Sequence, residues 1–470
     1  MAMTQPNSMT QTPVNRMLFM MAAPISLGML STFLFQIVDT FFVGQLGSAA
    51  LAALAFASTA YFLFVGLFIG LSIGVSAVVA KAAGGDDTLK TQTLVTVALL
   101  LVLFTSLGLS LVAYIFIDPM FIFLGAEAHI LPLIRRYMTL LYLGIPLLML
   151  GIVGSGIVRA TGTIKLTEII FALAGIVNLV FDYLLIFGIG PFPELGLAGA
   201  AIASVLSFGF VFVGVMSVMI SKGLIRVSAI RNMATSYNAL TEILKLALPT
   251  VGMQIMIPAT GMFTISILAQ FGTDIVAAFG VATRIEALAL IGIFAVSSAM
   301  TPFVAQNFGA EKHTRIDSAI VFAGKASVYI GLLVFFILAI FGSYIARIFS
   351  TDPAVISFVG LYFRIVAISY ILYGLFNVTS AIFNGLQMPV SSLRLMLVRT
   401  FIFTMPLLVI ASFINATAIL VALTVSNILA GLYAGMLMRR SIQQWNRPLA
   451  DVNPWDDYKA NLKNLFKKFK

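Results

Sequence analysis

The sequence predicts an all-α polytopic membrane protein, with twelve transmembrane helices in two six-helix lobes related by a parallel repeat. The first observation is composition. Of 470 residues, 61% are hydrophobic and 9% are charged, with 40 Phe, 22 Met and no Cys, where soluble domains carry about a quarter charged residues. So little polar surface cannot cover a water-soluble globule of this size. A soluble enzyme, a disordered chain, a disulfide scaffold and a cysteine-ligated metal centre are thereby excluded. The second observation is twelve apolar runs, each long enough for the roughly 20 residues that cross a bilayer core. The third is an internal repeat at an offset of 225 residues.

In chain order, residues 1–16 are polar, carry Arg16 as their one cation and lack a cleavage site, so they read as a cytoplasmic segment ahead of an uncleaved anchor. The first lobe, 17–220, holds the runs 17–43, 49–80, 93–117, 131–158, 165–187 and 196–220. A linker at 221–239 carries Lys222, Arg226 and Arg231. The second lobe, 240–440, holds 240–270, 275–308, 318–343, 354–386, 390–412 and 415–440. Several runs exceed the minimum length, which permits tilt or bending. The remainder, 441–470, is expected to be a cytoplasmic basic tail. Within it Leu462, Leu465, Phe466 and Phe469 share one helical face and lysines take the other, a pattern suited to the inner leaflet.

Threaded with the N-terminus inside, 22 of the 27 Lys and Arg face the cytoplasm, among them Lys312, Arg315, Arg439 and Arg440. Arg135, Arg136, Arg347 and Arg364 lie outside, and Arg284 falls within a span. This bias follows the positive-inside rule and predicts both termini in the cytoplasm of a multi-pass plasma (inner) membrane protein. The net charge of +10 is then a topology signal rather than a nucleic-acid footprint.

At the 225-residue offset, Gln45-Leu46-Gly47-Ser48 meets Gln270-Phe271-Gly272-Thr273, and Ala52-Ala53-Leu54 meets Ala277-Ala278-Phe279. Pro24 falls on Pro249, Gly84 on Gly309 and Tyr137 on Tyr362. Six spans per half is an even number, so both halves enter the membrane in the same orientation. In transporters built from parallel repeats, the substrate site lies at the repeat interface.

Charge inside the spans is the best pointer to chemistry, because an ionised side chain in mid-bilayer costs about 2.5–3.5 kcal/mol on insertion scales. Three acids sit away from span ends: Asp39, Asp182 and Glu286. Asp39 lies about 33 Å along the first span and Asp182 about 26 Å along the fifth, both rising outward. Asn178 shares a face with Asp182, four residues away, and Tyr137 enters the fourth span from outside to a depth of about 9 Å. Two carboxylates, an amide oxygen and a phenol suit a small hard cation. A low-dielectric setting also disfavours bare carboxylates, so the same group is suited to holding protons. The repeat sets Thr264, Phe403 and Leu407 opposite Asp39, Asn178 and Asp182, so an energising cation is expected to act on the first lobe.

Glu286 and Arg284 are two residues apart and do not face each other on a helix, leaving their roles open between structure and transport. Pro24, Pro146, Pro249 and Pro258 interrupt spans, and Pro24 shares its helix with Asp39, where a kink would couple the acid to helix shape. Gln36, Met253, Gln254, Met256 and Tyr370 are candidates for a substrate cavity, since Met adapts to varied shapes and rings attract cations. His129 and His313 are isolated. No phosphate-cradling loop, catalytic triad or HExxH pattern occurs, so neither an enzyme nor a cofactor is expected.

The run QIVDTFFVGQLGSAALAALAFAS (36–58) resembles the first-helix signature of the multidrug and toxic compound extrusion (MATE) family. GSGIVRATGTIK (154–165), NLVFDYLLIFG (178–188) and PELGLAGAAIAS (193–204) also resemble that family's motifs, in its order, and the likeness spans about residues 14–440. The pattern is most similar to the DinF-like branch. The resemblance implies two lobes in a V around a central cavity, and alternating-access export of small amphipathic, often cationic compounds in exchange for H+ or Na+. Such transport bears on antibiotic resistance. It implies that Asp39 and Asp182 bind the coupling cation, that Asn178 and Tyr137 shape the site, with Na+ at Asp39, Asn178 and Asp182 as one form, and that Pro24 lets the first helix bend. The NorM-like branch places acids in spans seven and ten. Here span seven has only Glu242 at its start and span ten has none, which argues against a second-lobe cation site carried over from that branch. A monomer in the lipid bilayer is expected, without a nucleic-acid partner. Readings outside this family are a lipid-linked saccharide flippase-type exporter and an uncoupled channel or receptor.

Overall fold

The computed structural model describes residues 8–444, and within them the chain is helical without strands. The tail expected at 441–470 lies almost wholly outside the described residues. Twelve helices are long and apolar enough to span: α1 Val14–Gly44, α2 Ser48–Gly84, α3 Thr88–Ile115, α4 Leu131–Ala160, α5 Ile164–Phe187 and α6 Leu197–Ser221 in the first half. The second half follows with α7 Met233–Phe271, α8 ending in Ile291–Gly309, α9 His313–Ala346, α10 Pro353–Gly385, α11 Pro389–Ser412 and α12 Ala416–Ile442. Helices are the natural outcome, because hydrocarbon offers no partner for backbone N–H and C=O groups. Asp87, Asn232 and Asp352 cap helix starts by accepting backbone N–H bonds at 2.9, 3.2 and 2.8 Å.

The eighth span is interrupted. Thr273–Ala289 and Ile291–Gly309 are separate helices meeting at Leu290, where one continuous run was expected over 275–308. Helix ends otherwise obey the repeat: Ser48 and Gly84 bound α2 as Thr273 and Gly309 bound α8, and Ile164 and Phe187 bound α5 as Pro389 and Ser412 bound α11.

Each half has its own apolar core, and the first helix of each half crosses over. Met17, Leu18, Met21, Ala22 and Ile25 of α1 are buried with Ala295–Val304 and Val378–Leu386 of the second half. Ala239, Ile243, Leu246 and Ala247 of α7 are buried with the first-half core. Leu18, Met21 and Ala22 stand at the repeat positions of Ile243, Leu246 and Ala247. The inner part of α1 thus packs in the opposite core. Pro24 and Pro249 lie within these crossing arms, which run on at least to Ile25 and Val251.

At the same end of the bundle, Gly84 lies against the Gln306 carbonyl and Gly309 against the Lys81 carbonyl, so that a Cβ on either glycine would collide with the opposite backbone. Lys81 and Gln306 are themselves repeat equivalents. Gln306 donates to the Ala160 carbonyl at 2.5 Å, Gln387 to Ala77 at 2.9 Å and Thr250 to Gly70 at 2.7 Å, each bond joining the two halves.

Arg315 secures the start of the chain by donating to the carbonyls of Met9 and Thr12 at 3.0 and 2.5 Å, while Asn307 donates to Met9 at 3.2 Å. Arg315→Ala removes these two charge-assisted bonds, each worth about 1.5–3 kcal/mol, and a third to Asn307 at 2.9 Å. We expect faster proteolysis around residues 8–13 with little change in the melting of the bundle, as read by timed digestion in detergent.

Candidate functional site: a paired carboxylate pocket

The first-half pocket is built by α1, α4, α5 and α6. Phe42 sets its ring against Tyr183 and Phe187 with centroids 6.0 and 5.9 Å apart, which holds the outer part of α1 on α5. Ser207 ties α6 to α5 through a 2.9 Å bond to the Ala174 carbonyl. One turn from Phe42, the carboxyl of Asp39 lies beside that of Asp182. Asp182 is 1% exposed and Asp39 is half-buried.

Tyr137 of α4 is buried within electrostatic reach of both acids, with Ser204 of α6 near its hydroxyl. Tyr61 of α2 also lies close to Asp39 and stacks on Phe208 at 6.2 Å. Asn178, half-buried, stands one turn before Asp182 on the same face. Three buried polar atoms here, Asp39 Oδ1, Asp182 Oδ1 and Asn178 Nδ2, have no protein partner. Buried polar groups in proteins are nearly always satisfied. Two touching carboxylates also repel unless a proton or a small cation lies between them. The donor set fits either: up to four carboxylate oxygens, a phenol, and the Asn178 oxygen if its amide is turned.

Pro24 sits in α1 fifteen residues before Asp39, within an unbroken helix. It lies near the outer end of the arm packed on the second half, which continues to Ile25 and Met29.

The remaining candidates are dispersed. Gln36 is exposed and Gln254 half-buried. Met253 and Met256 pack against the second-half core. Tyr370, expected to line a chamber, is fully buried and donates to Glu286 Oε2 at 3.2 Å; its hydroxyl is committed to that carboxylate. Tyr362 donates to the same oxygen. Arg284 is exposed and makes no ion pair among the described residues, and its spacing of two from Glu286 keeps the two side chains off one face. Arg399, counted above among the cytoplasmic cations, is half-buried beside this group. It stacks on Tyr373 and Phe376 at 4.8 and 5.1 Å and donates to Asn427 at 3.1 Å.

Tyr61, Ser204 and Arg399 were not singled out from the sequence. The repeat held the signal for one of them, since Tyr61 is the equivalent of Glu286.

A family model described as MatE matches residues 24–184 and 249–410, two stretches that begin 225 residues apart. The chain belongs to the MATE family. An FAD transporter of Shewanella oneidensis is 34% identical over 450 residues, covering 95% of this chain and 99% of that protein. The multidrug export protein MepA of Staphylococcus aureus is 24% identical, over 78% of this chain and 80% of its own. Among solved structures, the Vibrio cholerae MATE transporter VcmN in its bent form is 26% identical with a TM-score of 0.87, over 93% of this chain and 99% of that one. A Pyrococcus furiosus transporter of the MOP superfamily, 22% identical, shares the fold with a TM-score of 0.88 over 95% and 100% of the two chains. This MATE protein is thus a multi-pass membrane transporter and not an enzyme.

Proposed function

We propose that this MATE protein is a secondary active antiporter of the plasma (inner) membrane that exports amphipathic organic compounds in exchange for H+ or Na+. The reading rests on the Asp39–Asp182 contact: two carboxyls held together in an apolar bundle need a cation or a proton between them. In this reading both termini are cytoplasmic, so the end sealed by Gly84 and Gly309 is the inner one and the conformer faces outward. The coupling cation enters from outside, bridges Asp39 and Asp182, and draws α1 onto α5. Tyr137 and Asn178 supply further oxygens. Pro24 lacks the N–H that would brace α1, so the outer part of the helix moves without dragging the arm buried in the opposite core. One charge moving through about 100 mV yields about 2.3 kcal/mol, enough for useful concentration of cargo.

Cargo is the less constrained part of the reading. Likeness to MepA favours drug-like compounds, often cationic. The 34% identity over nearly the whole chain to a protein named FAD transporter favours a flavin dinucleotide, and FAD is the first compound to test. Purified protein in liposomes, loaded with FAD or with a fluorescent organic cation, is placed under a proton gradient or a sodium gradient separately. Export driven by one of the two gradients is the expected result and identifies the ion. Equal export without any gradient, or none of either compound, would contradict the proposal.

Pro24→Ala restores the missing backbone donor. It is expected to leave the protein folded and to slow gradient-driven export by about tenfold, an effect of about 1.4 kcal/mol on the barrier. Unchanged export rates in the same liposomes would remove Pro24 from the mechanism.

A further inference from the structure

The second half contains its own polar pocket at the repeat-equivalent place. Glu286 occupies the position of Tyr61, and Tyr362 that of Tyr137, the two tyrosines that flank the Asp39–Asp182 pair. The acid has moved from α1 and α5 to α8, while one phenol is kept and Tyr370 supplies another. Tyr362 and Tyr370 are 3% and 0% exposed, and both donate to Glu286 Oε2. The charged and titratable groups facing Glu286 are these two phenols and Arg399, which is near enough to act through space but makes no ion pair among the described residues, while Tyr373 stands beside the two tyrosines. Arg399 is tied instead to Asn427, and Asn427 donates to Ser369 at 3.1 Å.

Regular helix fails in all three elements that meet here. The eighth span breaks at Leu290, four residues after Glu286. A 3-10 turn, Ala367–Ser369, separates Tyr362 from Tyr370 in α10. Wide π-type turns, Val398–Thr404, carry Arg399 in α11. The equivalent first-half helices, α2, α4 and α5, are uninterrupted. Discontinuous helices and π turns concentrate where membrane transporters and enzymes bind or move.

We propose that Glu286, with Tyr362 and Tyr370, is a second proton-exchange site acting in the transport cycle alongside the first-half pair. A single carboxylate with two phenols has too few oxygens for a hard metal cation, which takes six or more. A proton fits. Both phenols donate to Oε2, which leaves Oε1 to take a proton; neutralising the carboxylate weakens the two charge-assisted bonds on Oε2 and frees Tyr362 and Tyr370 to rearrange. That rearrangement acts on the three irregular turns, giving protonation a route to helix shape. The role in transport rests on the antiport reading above, whereas the titration of Glu286 does not.

The test has two arms. Infrared difference spectra between acid and alkaline pH are recorded on the Asp39→Asn/Asp182→Asn protein, with and without Glu286→Gln, in lipid. A protonated-carboxyl band lost on adding Glu286→Gln, and displaced but retained in Tyr362→Phe, is expected; identical spectra with and without Glu286 would overturn the site. The second arm compares the steady-state cargo gradient of wild type and Glu286→Gln, for FAD and a fluorescent organic cation, under a pH step of about one unit. Each proton exchanged multiplies that gradient by about tenfold, so a tenfold fall is expected. A variant that folds, transports and reaches the wild-type gradient would overturn the coupling role. The infrared arm needs no cargo, so its failure is separable from failure of the antiport reading.

Discussion

Asp39→Asn and Asp182→Asn should each abolish gradient-driven export while leaving a folded, monodisperse protein. The amide keeps the size and shape of the side chain and removes the charge that a coupling cation requires. Removing groups that merely orient a metal ligand already costs about 10–100-fold, so loss of a direct partner should reduce export at least about 100-fold, to the background of empty liposomes. The folded state should not suffer, because two touching carboxyls in an apolar setting repel and the substitution relieves that repulsion. Melting temperatures in detergent equal to or above wild type, together with lost transport, are the expected pair of results. Export at the wild-type rate by both variants would show that the contact is structural.

The second large effect is expected from the smallest change. Gly84→Ala and Gly309→Ala each place a methyl against a backbone carbonyl of the opposite half, Gln306 and Lys81 respectively, neither of which can rotate away. Overpacking of this kind costs about 1–3 kcal/mol, and here the cost falls only on the conformer in which the halves meet. The population should shift by about 5- to 150-fold toward conformers parted at that end. Spin-label distances between α2 and α8 near residues 81 and 306 should lengthen in either variant and most in the double variant. Distances that stay at the wild-type values would mean that the halves do not separate at this surface.

Much of this architecture was legible in the sequence because the solvent is hydrocarbon. Twelve apolar runs, charge asymmetry across them and one repeat offset specify the spans and their order. Asp39 and Asp182 stood out for the same reason, as isolated acids deep in apolar runs, and Asn178 through its one-turn spacing. The helix break at Leu290 did not show, because the lone Gly292 two residues on is tolerated within helices and is too weak a signal by itself. Arg399 lies nine residues into the 390–412 run rather than in a loop, and its partners Tyr373, Phe376 and Asn427, from α10 and α12, are set by the fold alone. The crossing of α1 into the second core was equally invisible. That helix is apolar all round, so no polar stripe records which neighbour it faces. Tyr370 illustrates the converse, an aromatic residue that suited a greasy chamber by type but is held by a carboxylate 84 residues earlier in the chain.

Reciprocity offers the most direct test of the central claim, that cation binding at the Asp39–Asp182 pair is exchanged for cargo. If an ion gradient drives cargo one way, a cargo gradient must drive the ion the other way. Liposomes loaded with cargo and with an internal pH or sodium indicator, at equal ion concentrations on both sides, isolate this step. Cargo leaving through wild-type protein should raise the internal concentration of one of the two ions, and Asp182→Asn should abolish the signal. Cargo efflux without ion movement, or the same ion movement in Asp182→Asn, would contradict the account.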